Sequence, residues 1–171
     1  MKKRLFLIGS VLTLSGIAQD AAMADLKGRL PDIFSKCAAH YKALDAAVTP
    51  LMKNAKGQTM VPQGYKRDKK MYDMRRIECW TSGHFPGSLW YLYEATGDAK
   101  WRALAEKYTE EQAHIRTSNL HHDLGFMFLP SAGHAYRLTG EKKYAGYLYD
   151  AARTLCTRWR PRCGAIQVWG N

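Results

Sequence analysis

The chain contains 171 residues, of which 46% are hydrophobic and 24% charged. This composition is typical of a globular protein and excludes a disordered or collagen-like chain. Lys and Arg number 26 against 15 Asp and Glu, so the formal net charge is +11. That excess favours an anionic partner, but charge alone does not distinguish nucleic acid, acidic lipid and acidic polysaccharide.

The first 24 residues are predicted to be a secretory signal peptide. A basic segment, Lys2-Lys3-Arg4, precedes an apolar stretch from 5 to 18, and Ala22-Met23-Ala24 has the small-x-small pattern of a cleavage site. The apolar stretch is shorter than the ~20 residues that a membrane span needs, which disfavours a membrane anchor. We therefore expect a secreted or periplasmic protein whose mature domain comprises residues 25–171.

Export changes what the four cysteines can do. In an oxidising compartment four cysteines allow three disulfide pairings, and the sequence leaves the pairing open. No C-x-x-C occurs, so the spacing matches no zinc site. The simplest interpretation is that all four are small buried apolar residues. They are Cys37, Cys79, Cys156 and Cys163.

An amphipathic helix and then a basic loop are predicted to open the mature domain. Apolar residues recur with helical spacing from Ile33 to Leu51, and Pro31 suits the first turn of that helix. Residues 54–79 are polar and contain glycine and proline, which favours a loop. The simplest interpretation of its basic residues is that they form a solvent-exposed surface. The alternative is that they form a strip that binds a polyanion. They are Lys66, Arg67, Lys69, Lys70, Arg75 and Arg76.

The rest of the chain carries an internal repeat with an offset of 43 residues. The stretch 85–101 recurs as 128–144, and each copy predicts a nearly all-apolar helix, about 87–96 and 130–139, that ends at Thr-Gly. An amphipathic second helix follows in each copy. A helix that is apolar on every side must be enclosed, whereas a helix with one apolar stripe can face water. The repeat therefore predicts alternating inner and outer helices, as in an α-solenoid or a closed (α/α) toroid.

The repeat places an aromatic residue beside a carboxylate. Asp123 follows Trp80 by 43 residues, so both precede an inner helix, and one further step along the chain ends close to Trp169. Equivalent positions of successive repeats stand side by side on one rim. Indole rings pack on the C–H face of a sugar, and a carboxylate binds hydroxyl groups or moves protons. The sequence therefore predicts a sugar-binding rim.

Simpler interpretations of these residues stay open. Asp123 suits the N-cap of the helix after it, and Trp80 and Trp169 can be core residues. Three further tryptophans lie on apolar faces of predicted helices and are expected in the core: Trp90, Trp101 and Trp159.

The histidines around Asp123 raise the possibility of a metal centre. No H-x-x-x-H occurs and the histidines belong to different predicted helices, so we expect neither a metal nor a cofactor. His134 is most simply a buried imidazole whose hydrogen bonds are satisfied. The residues concerned are His114, His121, His122 and His134.

Four blocks resemble the unsaturated glucuronyl hydrolases, glycoside hydrolase family 88. Segment 80–94, WTSGHFPGSLWYLYE, is similar to the entry motif of that family, and 121–127, HHDLGFM, resembles its aspartate motif. Segments 130–140 and 164–169 are similar to later blocks and follow in the same order. The resemblance implies an all-α fold of helical hairpins, of which residues 25–171 would form the N-terminal part, about half of a six-hairpin (α/α) barrel.

The resemblance also implies an activity. Enzymes of this family remove a 4,5-unsaturated uronic acid from the non-reducing end of oligosaccharides made by polysaccharide lyases, such as those from glycosaminoglycans. By resemblance Asp123 is one of two catalytic carboxyl groups, and Trp80, His122 and Trp169 bind the substrate. The second catalytic aspartate of the family comes after the position matched by Trp169. No substitute for it is evident before Asn171, so we expect little hydrolysis by this chain alone.

A second function stays open, a non-catalytic helical-repeat module that binds acidic glycans or a protein, with Asp123 only a helix cap. Binding of nucleic acid is disfavoured because export is predicted and no nucleic-acid motif occurs. No membrane partner is expected, and the oligomeric state is left open.

The coding sequence beyond the codon for Asn171 separates these two functions. The hydrolase interpretation predicts further helical repeats with an aspartate, and a longer protein that consumes the ultraviolet absorbance of unsaturated uronates. An extension that lacks the aspartate, or a longer protein inert on every lyase product, would favour the binding module.

Overall fold

The computed structural model describes residues 3–119 and 121–169, and for residues 3–22 it describes the backbone alone. The chain forms two compact units, residues 1–39 and 40–171. Helix α1 spans Lys3–Val48. The prediction that a helix begins at Pro31 is wrong, because Pro31 lies inside α1.

A proline in a helix interior removes a single backbone hydrogen bond, and charged pairs one turn apart flank it here. Asp25 lies 3.6 Å from Arg29, and Lys36 donates to Asp32 at 2.8 Å. The proposed leader rests partly on Lys2 and on side chains before Met23, which lie outside the described residues, so it stays a prediction. Among the described residues no helix is both long and apolar enough to cross a membrane.

The second unit contains a β-hairpin where a loop was predicted. A 3₁₀ turn, Thr49–Leu51, leads to strands β1 (Met60–Lys66) and β2 (Met71–Arg76), which pair antiparallel. A bulge between Pro62 and Gly64 accommodates the proline, which has no N–H to donate to the ladder. The prediction of a loop was therefore wrong. The two strands pair through cross-strand contacts and show no alternating hydrophobic pattern in the sequence.

Part of the positive charge of this hairpin is neutralised locally. Lys66 and Arg75 lie 3.2 and 3.1 Å from the Asp73 carboxylate, and Arg76 lies 3.0 Å from Glu78. The hydrogen bond from Lys66 is the main reason that the pKa of Asp73 lies below its usual value. These pairs favour the interpretation of a solvated charged face.

The predicted helical hairpins are present. The first consists of α2 (His84–Thr96) and α3 (Ala99–Gln112), and a 3₁₀ turn, Ala113–Thr117, follows it. The second consists of an inner run, residues 124–139, and an outer helix α6 (Lys142–Cys156). The inner run divides into α4 (Leu124–Phe128), a π-helical turn (Leu129–Gly133) and α5 (His134–Thr139).

Residues 43 apart meet across the two inner helices. The rings of Tyr91 and His134 lie 4.4 Å apart, and Arg137 donates to both carboxylate oxygens of Glu94 at 2.6 and 2.7 Å. The hydrogen bond from Arg137 lowers the pKa of Glu94. These pairs confirm the offset and show that equivalent positions of the two repeats stand side by side.

The same offset relates the two outer helices. Trp101 of α3 and Tyr144 of α6 occupy equivalent positions, and both are fully buried. Burial raises the pKa of Tyr144 to about 12. Trp90 of α2 donates its indole N–H to Thr109 of α3 at 3.2 Å inside the core, so Trp90 and Trp101 are core residues as predicted.

The prediction for Trp159 is wrong. Helix α6 ends at Cys156, and Trp159 lies in β3 (Trp159–Arg160), which pairs with β4 (Ala165–Ile166). Its side chain is about half exposed, at 49%. Gly164 has a positive φ of 62° and permits the turn of this hairpin, a conformation that the helical periodicity upstream does not reveal.

The interpretation of the cysteines as buried apolar residues is also wrong. Three of them are exposed and Cys79 is half-buried, and within the described residues none forms a disulfide. Their positions account for this, because Cys156 is the last residue of α6 and Cys163 lies in the turn between β3 and β4.

Two glycines of the second hairpin should respond to alanine in opposite directions. Gly140 has φ +72° and Gly146 is an exposed residue within α6, and a Cβ atom added at either position would have no neighbouring atom within 4 Å. We expect Gly140→Ala to destabilise the fold by about 1 kcal/mol, because alanine is strained at positive φ. Gly146→Ala should stabilise it by about 0.5–1 kcal/mol through helix propensity. Urea unfolding of both variants measures the change in unfolding free energy. An equal change in the two variants would contradict the left-handed conformation of Gly140.

Candidate active site

Trp80 lies in a tight turn between β2 and α2. The backbone N–H of Ser82 donates to the carbonyl of Cys79 at 2.9 Å, and His84 donates to Thr81 at 3.1 Å, so the chain reverses directly before the helix. The Trp80 side chain is 48% exposed. The interpretation of Trp80 as a core residue is therefore wrong, and its indole is available to a ligand.

Asp123 occupies the N-cap position of α4 but does not cap it. Its side chain accepts no hydrogen bond from the first turn, and its Oδ2 atom lies 3.1 Å from Nε2 of His122. By contrast, Asp98 at the start of α3 accepts a hydrogen bond from the backbone N–H of Lys100 at 2.9 Å. The Asp123 carboxylate is thus oriented by a neighbouring imidazole and stays partly open to solvent.

Trp169, another of the predicted site residues, lies next to His122. The imidazole of His122 lies against the indole of Trp169, with ring centroids 4.4 Å apart and planes inclined by 60°. Trp169 is 80% exposed, so the interpretation of it as a core residue is wrong. His122 therefore contacts Asp123 through a ring nitrogen and Trp169 through its ring face.

Sequence reasoning missed the residue that holds this tryptophan segment in place. The Arg158 guanidinium donates to the carbonyl oxygens of Gln167 at 2.8 Å, Val168 at 3.0 Å and Asn119 at 2.7 Å. It therefore ties the backbone before Trp169 to the loop that leads to His122. An arginine just after a helix gives no sequence signal for such a role, since its partners are backbone carbonyls.

Phe126 is a second residue that the motifs did not single out. Its ring lies 6.1 Å from that of Trp80 in an edge-to-face arrangement, and more than half of its side chain is exposed. Phe126 stands in α4, three residues after Asp123, so one helical turn separates it from the carboxylate. The structure thus joins Asp123 directly to His122, and through His122 to Trp169, while Trp80 contacts the same segment through Phe126.

Within the described part of the chain the histidines lie in separate surroundings. Across residues 23–119 and 121–169, no three His, Cys, Asp or Glu side chains converge in a way that could hold a metal ion. His114 faces the backbone carbonyl of Glu111, with Nδ1 at 2.9 Å, while His134 packs on Tyr91. His134 is partly buried, and that burial lowers its pKa.

Curated relatives match part of the chain. An unsaturated chondroitin disaccharide hydrolase of Streptococcus agalactiae serotype III (strain NEM316) is 36% identical over 95 residues, which is 54% of this chain and 24% of that protein. The unsaturated glucuronyl hydrolase of Bacillus sp. (strain GL1) is 37% identical over 94 residues, 53% and 25% of the two chains. That of Formosa agariphila is 26% identical over 130 residues, 75% and 32%. The predicted resemblance is confirmed.

Solved structures agree with the sequence matches. An unsaturated glucuronyl hydrolase specific for heparin superposes with a TM-score of 0.60 and 38% identity, over 66% of this chain and 30% of that one. The enzyme from Streptococcus agalactiae gives 0.59 and 30%, over 66% and 29%. These neighbours are (α/α)₆ barrels, so the all-α class and the partial helical toroid are confirmed.

The match is partial in both comparisons. The chain spans about a quarter to a third of the length of the relatives that it resembles. No protein-family model matches it.

Asp123 and Asp98 offer a matched test of the site geometry. We expect Asp98→Ala to cost about 1 kcal/mol of unfolding free energy, because it removes a capping hydrogen bond. Asp123→Ala should cost less than half of that, since its carboxylate caps nothing. Chemical denaturation of the two variants provides the comparison, and an equal or larger loss for Asp123→Ala would show that Asp123 serves mainly as a cap.

Proposed function

We propose that this chain supplies one wall and one carboxyl group of a site that removes 4,5-unsaturated uronic acid from lyase-generated oligosaccharides. The observation that carries the proposal is the contact of Asp123 with His122 and of His122 with the exposed ring of Trp169. A proton-handling group and an apolar ring stand next to each other there, as sugar chemistry requires.

In this proposal the aromatic residues bind the sugar, and His122 orients the Asp123 carboxyl group. The open face of Trp169 packs on the C–H surface of the sugar, and the Trp80–Phe126 pair offers a second aromatic surface. The Nε2 atom of His122 lies 3.1 Å from Oδ2 of Asp123, where its N–H donates to the carboxylate and so fixes the direction of the carboxyl group. The excess of basic residues suits a substrate that carries a carboxylate.

The chemistry that Asp123 would serve is hydration of a vinyl ether. A carboxylic acid gives its proton to C4 of the unsaturated ring, which leaves a positive charge shared by C5 and the ring oxygen. Water adds its oxygen to C5 and passes a proton to a carboxylate. The resulting hemiketal opens to a ketone at C5, and the hemiacetal at C1 then releases the glycan hydroxyl. One carboxyl group moves protons and another stabilises the charged ring, as in other sugar hydrolyses.

The comparisons support the sugar class of the ligand. Relatives of this chain are unsaturated glucuronyl and chondroitin disaccharide hydrolases, and one solved relative, 28% identical with a TM-score of 0.60, is paired with dGlcA-Glc-Rha-Glc. We propose a glycosaminoglycan-like oligosaccharide with an unsaturated uronate as the ligand here. We propose a secreted or periplasmic location from the predicted leader.

A non-catalytic glycan-binding module is the second candidate. It is favoured by the strong exposure of Trp169 and Phe126 near Asp123. In this case the same sugar binds but no bond breaks. The two candidates therefore share a binding surface and differ in turnover.

Trp169 and Trp159 form a matched pair for testing the binding surface. An unsaturated uronate disaccharide is titrated into the full chain and into Trp169→Ala and Trp159→Ala. We expect the first substitution to weaken binding about fivefold or more, because truncating a stacked aromatic ring costs on the order of 1–3 kcal/mol. Trp159→Ala should bind as the unchanged chain does.

Turnover is measured on the same samples as loss of the ultraviolet absorbance of the uronate. We expect binding with little turnover by this chain, and Asp123→Asn should abolish turnover by a longer protein that contains a second carboxyl group. Rapid turnover by residues 25–171 would mean that the second carboxyl group lies within this part of the chain. Absence of binding to any unsaturated uronate would overturn both candidates.

A further inference from the structure

A buried amide connects the turn that carries Trp80 to the helix that begins beside Asp123. Gln112 is the last residue of α3, and its side chain is fully buried. Ser82 and Ser131 are buried beside it. A buried primary amide has two donors and an acceptor to satisfy, so its position in the core depends on specific partners.

The partners fix the orientation of the amide. The backbone N–H of Gly83 can only donate and lies 3.2 Å from the amide oxygen, and the Met127 carbonyl can only accept and lies 3.0 Å from the amide nitrogen. In that orientation the Ser82 hydroxyl donates to the same oxygen at 2.5 Å, and the nitrogen also reaches Ser131 Oγ at 2.9 Å. All the hydrogen-bonding groups of the amide are then used. We call these five residues the Gln112 network.

The network joins three parts of the fold. Ser82 and Gly83 follow Trp80 in its turn, Met127 follows Phe126 in α4, and Ser131 belongs to the inner run. Ser131 also donates to the Met127 carbonyl at 2.6 Å. A Cβ atom on Gly83 would stand 2.0 Å from the Met127 carbonyl oxygen, so the turn lies directly on the α4 backbone.

We propose that Gln112 is a positioning residue, which holds the Trp80 turn against α4 and so sets Trp80 and Phe126 relative to Asp123. The proposal rests on the proposed function only for what the aromatic pair binds. The arrangement itself follows from the contacts of the Gln112 network. A structural role alone would stabilise the fold without fixing the surroundings of one exposed indole.

The test compares two buried hydrogen bonds made by the same helix. Gln112→Met keeps the side-chain length and removes the amide. Thr109→Val, the matched control, removes the hydrogen bond that Trp90 donates to a fully buried hydroxyl three residues earlier in α3. The full chain is labelled with 5-fluorotryptophan, and Trp80→Phe assigns the ¹⁹F resonance of Trp80. Circular dichroism and thermal unfolding are recorded on each variant.

We expect Gln112→Met to shift or split the Trp80 resonance of the folded protein while those of Trp101 and Trp159 stay in place. Thr109→Val should move the resonance of Trp90 and leave that of Trp80 unchanged. A Trp80 resonance unaffected in folded Gln112→Met, or displaced equally by both variants, would overturn the proposal. If Gln112→Met does not fold, Ser82→Ala is used as the test variant. It removes one hydrogen bond to the amide and should still shift the Trp80 resonance.

A titration with the unsaturated uronate disaccharide on the same samples separates the two proposals. One outcome supports both proposals: Gln112→Met shifts the Trp80 resonance and binds the disaccharide about fivefold more weakly. A fivefold loss is the effect expected from losing one well-placed contact. A shifted resonance with no binding even by the unchanged chain supports the positioning role and overturns the proposed function. Binding by the unchanged chain with an unmoved Trp80 resonance in the variant supports the function and overturns the positioning role.

Discussion

The side-by-side packing of α2 and the inner run, residues 124–139, is the constraint on which the rest of the site depends. It brings residues 43 apart into contact, as the Tyr91–His134 and Glu94–Arg137 pairs show. The same alignment puts the turn before α2 beside the start of α4. Trp80 and Asp123 are therefore on one rim because the repeat places them there.

The site is built on this rim by two separate sets of hydrogen bonds. The Gln112 network is buried and seats the Trp80 turn on the backbone of α4. Arg158, nearer the surface, ties the segment before Trp169 to the loop before His122. In both cases the partners of the anchoring side chain include backbone atoms, which constrain where the next aromatic side chain lies. The result is a partly exposed carboxylate in contact with His122, with the Trp80–Phe126 pair about one helical turn further along α4.

The repeat and the motifs were enough to predict the helical hairpins. They also singled out His122, Asp123 and Trp169, which the structure brings together, while the roles of these residues and of Trp80 stay predictions. Helical periodicity and a 43-residue offset are visible in the sequence because each repeat buries the same faces of its two helices. The β1–β2 hairpin was missed because proline, glycine and basic residues interrupt its apolar ones and its pairing depends on cross-strand neighbours such as Tyr65 and Tyr72. Gln112 and Arg158 were missed because they bind backbone groups or residues at separations that follow no spacing rule.

The most direct measurement of the central claim is a crystal structure of the chain with an unsaturated uronate disaccharide. The account predicts that the unsaturated ring packs on Trp169, with an oxygen or carbon of that ring in reach of the Asp123 carboxyl group. A disaccharide bound on the basic β1–β2 hairpin with the indole rim empty would contradict it. So would a carboxyl group of Asp123 that turns away from the bound sugar to cap α4.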